Sequence, residues 1–191
     1  MEQTLATCAT AYVTADTGRR QWSIGNGKIR KTLAWHADGG LHLAVLENRT
    51  SGHVWRPALD ASPFAGGEFL VQWGDVPHSG RQATDLLGID ARADTDAVIL
   101  YVALRVTDGL DVTLCCRLHS RADVIEQWLE VSAQQPGVLS KGAPLTVSVA
   151  SLPSPMLHWV RGIQNHGAGM PDSGPYPAFQ VRHEPLGAVA L

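Results

Sequence analysis

Apolar runs of four to six residues alternate with Asn, Asp and Gly clusters through residues 22–52, with no helical period to compete. The segment reads Trp22-Ser-Ile-Gly-Asn-Gly-Lys-Ile29, Thr32-Leu-Ala-Trp35, Asp38-Gly39-Gly40, Leu41-His-Leu-Ala-Val-Leu46 and Asn48-Arg-Thr-Ser-Gly52. Asn-Gly and Gly-Gly pairs between such runs mark tight hairpins, because those turns call for positive φ. The opening third is therefore expected to be an antiparallel meander.

The same rhythm continues downstream. Strands are expected at Thr10–Thr14, His53–Trp55, Glu68–Trp73, Leu145–Ala150, Met156–Val160 and Phe179–Arg182. Ala97–Val106 and Leu110–Leu118 should pair across Asp108-Gly109, with Leu110, Val112, Leu114, Cys116 and Leu118 on one face. Val124–Val131 fits a helical face about as well as a strand; its β-branched content favours strand. Pro57–Gly67 and Gly74–Gly80 read as loops by composition. Many strands with short turns and no convincing helix predict an all-β fold, two antiparallel sheets packed face to face. Its expected parts are an N-terminal strand and lead-in over 1–20, a sandwich core over 21–163, and a Gly/Pro-rich loop with terminal strands over 164–191. The apolar ending Gly-Ala-Val-Ala-Leu191 points to a fragment of a longer chain.

Charge and cysteine content narrow the function. The net charge of −3 gives no strongly basic face, which argues against nucleic-acid and anionic-membrane partners. No apolar run reaches the roughly 20 residues of a membrane span. The start lacks the basic and apolar regions of a signal peptide, so a cytoplasmic location is expected. Cys8, Cys115 and Cys116 are an odd count with an adjacent pair, which suits reduced thiols better than a disulfide framework. On a strand, Cys115 and Cys116 would point to opposite faces. No cofactor and no metal site are expected, because the eight histidines are scattered without ligand spacing.

Six tryptophans accompany only three Tyr and three Phe. Indole rings fill cores, and they also lie against the C–H face of sugars. Trp35 and Trp128 sit within strand-like runs and are expected to pack inside. Trp55 and Trp73 border loops and are the candidates for a sugar-facing surface. Asp75 and His78, in the loop after Trp73, are the polar candidates beside them. Glu68 opens a strand and reads as a sheet-edge residue. No paired carboxylates stand out as a glycosidase pair, and neither a nucleophile elbow nor a phosphate loop occurs.

With these residues in place, the chain resembles the N-terminal β-domain of family 36 type α-galactosidases and their relatives. The matching pieces are Trp22-Ser-Ile-Gly-Asn26, Ile29-Arg30, Gly40-Leu41, Leu46-Glu-Asn48, Thr50-Ser-Gly52 and Glu68-Phe69, with Gly109-Leu-Asp-Val-Thr-Leu114, Val124-Ile125 and Val160-Arg-Gly162 further on. The resemblance covers most of residues 21–162. It implies a supersandwich of the galactose-mutarotase type, preceding a (β/α)8 barrel that bears the catalytic aspartates. This chain has no barrel pattern and no Lys-aromatic-Asp nucleophile motif. Arg81-Gln-Ala-Thr-Asp85 matches the Arg-x3-Asp spacing of the acid/base motif, but without its barrel the role is not carried over. In some relatives a loop of the sandwich reaches the sugar site, and residues 74–80 occupy a similar place. The implied function is a non-catalytic sandwich domain of a glycoside hydrolase. Its implied partners are the barrel of the same polypeptide, a galactoside-type carbohydrate and a second copy of the chain. A stand-alone carbohydrate-binding module and a mutarotase-like epimerase using a His and a Glu are the alternatives.

Overall fold

The structure, a computed structural model, describes residues 2–57, 67–143, 156–161 and 180–185. Among these residues there is no α-helix, and the fold is all-β with antiparallel sheets. The chain divides into two compact units, Met1–Ala150 and Ser151–Leu191.

The first unit begins with the expected meander. Strands β1 (Glu2–Cys8), β2 (Ala11–Asp16), β3 (Gln21–Gly25), β4 (Ile29–His36), β5 (Gly40–Asn48) and β6 (His53–Trp55) lie side by side in sequence order. After β7 (Leu70–Trp73), β8 (Val76–Ser79) and one 3-10 turn (Gly80–Gln82) come β9 (Asp85–Ala93), β10 (Ala97–Thr107), β11 (Leu110–His119) and β12 (Ile125–Ala133). These last four form a second sheet in the order β12-β11-β10-β9. β13 (Leu139–Ala143) joins β7 and β8 in a three-stranded sheet. In the second unit, β14 (Met156–Arg161) pairs antiparallel with β15 (Gln180–Pro185).

The core of the first unit follows from period-two patterning. Leu110, Val112, Leu114, Cys116 and Leu118 of β11 are all fully buried, as the alternation requires. They join Val98, Leu100, Val102 and Leu104 of β10 on the same sheet. Val13 of β2, Ile24 of β3 and Leu33 and Trp35 of β4 complete the cluster from the meander. Each such side chain contributes about 1.5–3 kcal/mol on leaving water. This shared apolar layer makes a sandwich of the two larger sheets.

Several local expectations change. Gly74–Gly80 is no open loop: β8 pairs with β7 from Val76 to Ser79, across a two-residue turn at Gly74-Asp75. Gly74 has φ +60° at the first turn position, the geometry of a type II′ hairpin. The Asn26-Gly27 turn works without positive φ at either residue. Asn26 Oδ1 instead accepts from the backbone N–H groups of Lys28 at 2.8 Å and Ile29 at 3.1 Å, an Asx turn. Glu68 precedes its strand and takes φ +67°. Strands β1, β9 and β13 carry little apolar rhythm and were not foreseen. β1 is largely exposed, and β9 has its alternation broken by a bulge opposite Ala103/Leu104. The strand expected over Leu145–Ala150 lies outside the described residues, as do most of the loop after Pro57 and the Gly/Pro-rich stretch at 164–177.

Candidate functional site

The strongest concentration of buried polar chemistry sits where three sheets meet. Lys31 of β4 is 5% exposed and Glu68, just before β7, is 1% exposed. Lys31 Nζ is ion-paired with Glu68 Oε2 and donates to Gln127 Oε1 on β12. Gln127 Nε2 in turn donates to the Glu68 carbonyl at 3.1 Å, and the Cys116 thiol donates to Gln127 Oε1 at 3.6 Å. Burial alone would depress the Lys31 pKa, but the Glu68 carboxylate more than offsets it, and the net shift is upward. Burial pushes the Cys116 thiol up to about 11, so sulfur stays protonated beside this pair. Both charges are enclosed and ion-paired with each other. The cluster therefore joins the six-, three- and four-stranded sheets, and presents no acid or base to solvent.

The residues singled out from sequence fall in two places. Trp73, Asp75 and His78 share the β7–β8 hairpin, and Trp55 lies on β6, at the edge of a different sheet. Val71 pairs with His78 and Trp73 with Val76, so all four side chains share one face. Val71 on that face is fully buried. Trp73 packs against the apolar core, and a Cβ at Gly137 would run into its ring. His78 is half-buried, and burial lowers its pKa. Asp75 is exposed at the second position of the turn. Trp55 is half-buried, with its ring centroid 4.3 Å from that of His53. Among the described residues, no hydrogen bond, ion pair or ring contact joins Trp55 to the other three.

A surface that the sequence reading passed over is the outer face of the four-stranded sheet. Register places Asp90, Tyr101, Cys115 and Trp128 in one row across its four strands. The neighbouring row is Arg92, Ile99, Arg117 and Glu126. The Arg92 guanidinium stands 5.4 Å from the Tyr101 ring centroid, and that of Arg117 stands 5.4 Å from Trp128. Trp128 was expected inside, yet it is half-buried on this polar face and donates from Nε1 to Glu130 at 3.4 Å. The signal was present: Glu126, Trp128 and Glu130 alternate with Ile125, Gln127 and Leu129, so the indole shares its face with two carboxylates. Cys115 is buried on the same face, opposite Cys116, and burial with the adjacent Glu130 carboxylate pushes its thiol up to about 12.

His36 and His42 stack at 5.1 Å, a pairing through space that their spacing of six concealed. Burial, reinforced by His36 and Arg81, lowers the His42 pKa. Among the described residues, no group of three His, Cys, Asp or Glu side chains could hold a metal ion. No helix there is long and apolar enough to cross a membrane. Comparison with family models, with curated proteins and with solved structures found no match.

Proposed function

We infer that this chain is a non-catalytic β-sandwich domain of a cytoplasmic glycoside hydrolase of the α-galactosidase type. In that role it buttresses a catalytic barrel carried by the same polypeptide and takes part in contacts between copies. The observation that carries the reading is where the motif residues of the resemblance fall. They sit at the points that hold the sandwich together. Asn26, fully buried, builds the β3–β4 turn and reaches across to donate to the carbonyls of His119 at 3.2 Å and Ala122 at 2.6 Å. Asn48 Oδ1 accepts from the N–H groups of Thr50 and Ser51, and Gly52 completes that turn at φ +72°. Glu68 supplies the buried anion between the sheets. Such residues specify a scaffold.

The test pairs a gene-level and an enzymatic observation. The reading frame after Leu191 is expected to encode a barrel with paired aspartates. The 191-residue chain alone is expected to leave an aryl α-galactoside intact, and the longer polypeptide to hydrolyse it. Turnover that scales with the concentration of the isolated chain contradicts the proposal, as does a continuation without a barrel.

A further inference from the structure

The register of the four-stranded sheet builds a trough on its outer face. Beside the row of Tyr101, Cys115 and Trp128 runs a row of small residues, Gly88, Ala103 and Thr113, ending at Glu130. A Cβ added at Gly88 would meet nothing within 4 Å, so the floor is open there. Beyond the floor lies a polar row of Asp85, Arg105, Asp111 and Ser132. One long side is therefore aromatic, the floor is small as far as Thr113 and is closed beside Trp128 by Glu130, and the other side carries hydrogen-bonding groups. Arg92 and Arg117 belong to the row on the far side of the two rings from the floor.

The dimensions follow from sheet geometry. Tyr101 and Trp128 stand two strands apart, about 10 Å, and the two walls lie four residues apart along the strand, about 13 Å. Successive pyranose rings in an oligosaccharide repeat at about half the first distance, so the aromatic wall matches a chain of two to three sugars. The width admits one ring lying edge-on to the polar wall.

We propose that this trough binds a neutral oligosaccharide of two to three rings, with its C–H faces against Tyr101 and Trp128 and its hydroxyls toward Asp85, Arg105 and Asp111. Neutral, because each arginine on the face already faces a carboxylate: Arg105 Nε lies 3.1 Å from Asp111 Oδ1, Arg92 Nε lies 2.9 Å from Asp90 Oδ2, and Arg117 Nη1 lies 3.7 Å from Glu126 Oε2, while Asp85 and Glu130 add negative charge. Arginines engaged by carboxylates, with carboxylates in excess, disfavour an anionic ligand while still offering donors and acceptors. Saccharide hydroxyls need this mixture, and indole and phenol rings supply the apolar complement. The trough lies on a different sheet from Trp55, Trp73, Asp75 and His78, and the proposal stands independently of the hydrolase reading.

Raffinose and cellotriose are the probes, titrated calorimetrically into the full 191-residue chain, with circular dichroism as the check on folding. The chain is expected to bind at least one of them. Trp128→Ala and Tyr101→Ala should each weaken that binding about tenfold or more, while Trp55→Ala leaves it unchanged. Both rings are half-buried on the outer face, so each variant should keep its fold. Failure of both probes to bind overturns the proposal, and so does binding that Trp128→Ala and Tyr101→Ala leave intact. Neither result bears on whether the gene continues into a barrel.

Discussion

Lys31 and Glu68 show how a single pair can dominate local energetics. Replacing Glu68 by Gln leaves a buried ammonium without its counter-charge, and Lys31→Met leaves a buried carboxylate alone. Each is expected to cost about 3–5 kcal/mol in urea unfolding, with the double replacement costing less than the sum of the two. The pH dependence has a definite sign. The Lys31 pKa is raised in the folded state, so the folded chain holds this proton more tightly. The stabilisation is complete below the ordinary lysine pKa of about 10.4 and is lost as pH rises through the folded value. The stability gap between the wild type and Lys31→Met should therefore shrink in alkali above that point. Nothing in Arg30-Lys31-Thr32 announces which cation is buried, because burial is decided by residues more than thirty positions away. The positive φ of Glu68 is equally silent in sequence. The opposite-face geometry of Cys115 and Cys116, by contrast, follows from strand period alone. Both thiols are buried, with pKa values pushed up to about 12 and about 11, whereas Cys8 is half-buried. A disulfide reagent at pH 8 should label one cysteine per native chain, Cys8, and all three after denaturation. Rapid labelling of three in the native state contradicts the burial.

Asn26 plays the corresponding part for whole elements. Its amide accepts twice from its own turn and donates twice to the β11–β12 connection, binding the meander to the opposite sheet. Lys28 Nζ adds a bond to the Arg121 carbonyl at 2.9 Å, and Thr10 Oγ1 one to the Ser120 carbonyl at 2.5 Å. At about 1 kcal/mol net for each of its four bonds, Asn26→Ala should lower stability by about 2–4 kcal/mol. A loss below about 1 kcal/mol in denaturant unfolding would mean that the bridge contributes little. The sequence marks Asn26-Gly27 as a turn but names the wrong device. Side-chain hydrogen bonding replaces the left-handed backbone, and only the contacts across the sandwich explain why Asn is needed. Strands with clean alternation, such as β10 and β11, were legible to within a residue or so. β9 was not, because its bulge shifts the pattern by one position midway. β8 was hidden because Pro77 and the flanking glycines suit a loop by composition, while its pairing with β7 depends on a partner strand that sequence does not display. The same limit applies to the candidate site. Period two could have put Trp128 on the polar face, but the trough beside it exists only once four strands are in register.

At the largest scale, the meander and the four-stranded sheet of the first unit fold as the two halves of one core. The proposed scaffold role requires that cooperation, since a buttress that opens locally transmits no support. The buried cluster of Lys31, Glu68 and Gln127 and the Asn26 bridge tie the same two layers at different points, and the apolar residues between them form one continuous cluster. Native-state hydrogen exchange tests this most directly. The amides of β10 and β11 and those of β3 and β4 should exchange slowest in the chain, with a common free energy equal to that of global unfolding and a common dependence on denaturant. Exchange from β3 and β4 at a clearly lower free energy, while β10 and β11 stay protected, would mean that the two layers do not share a core and would contradict the account.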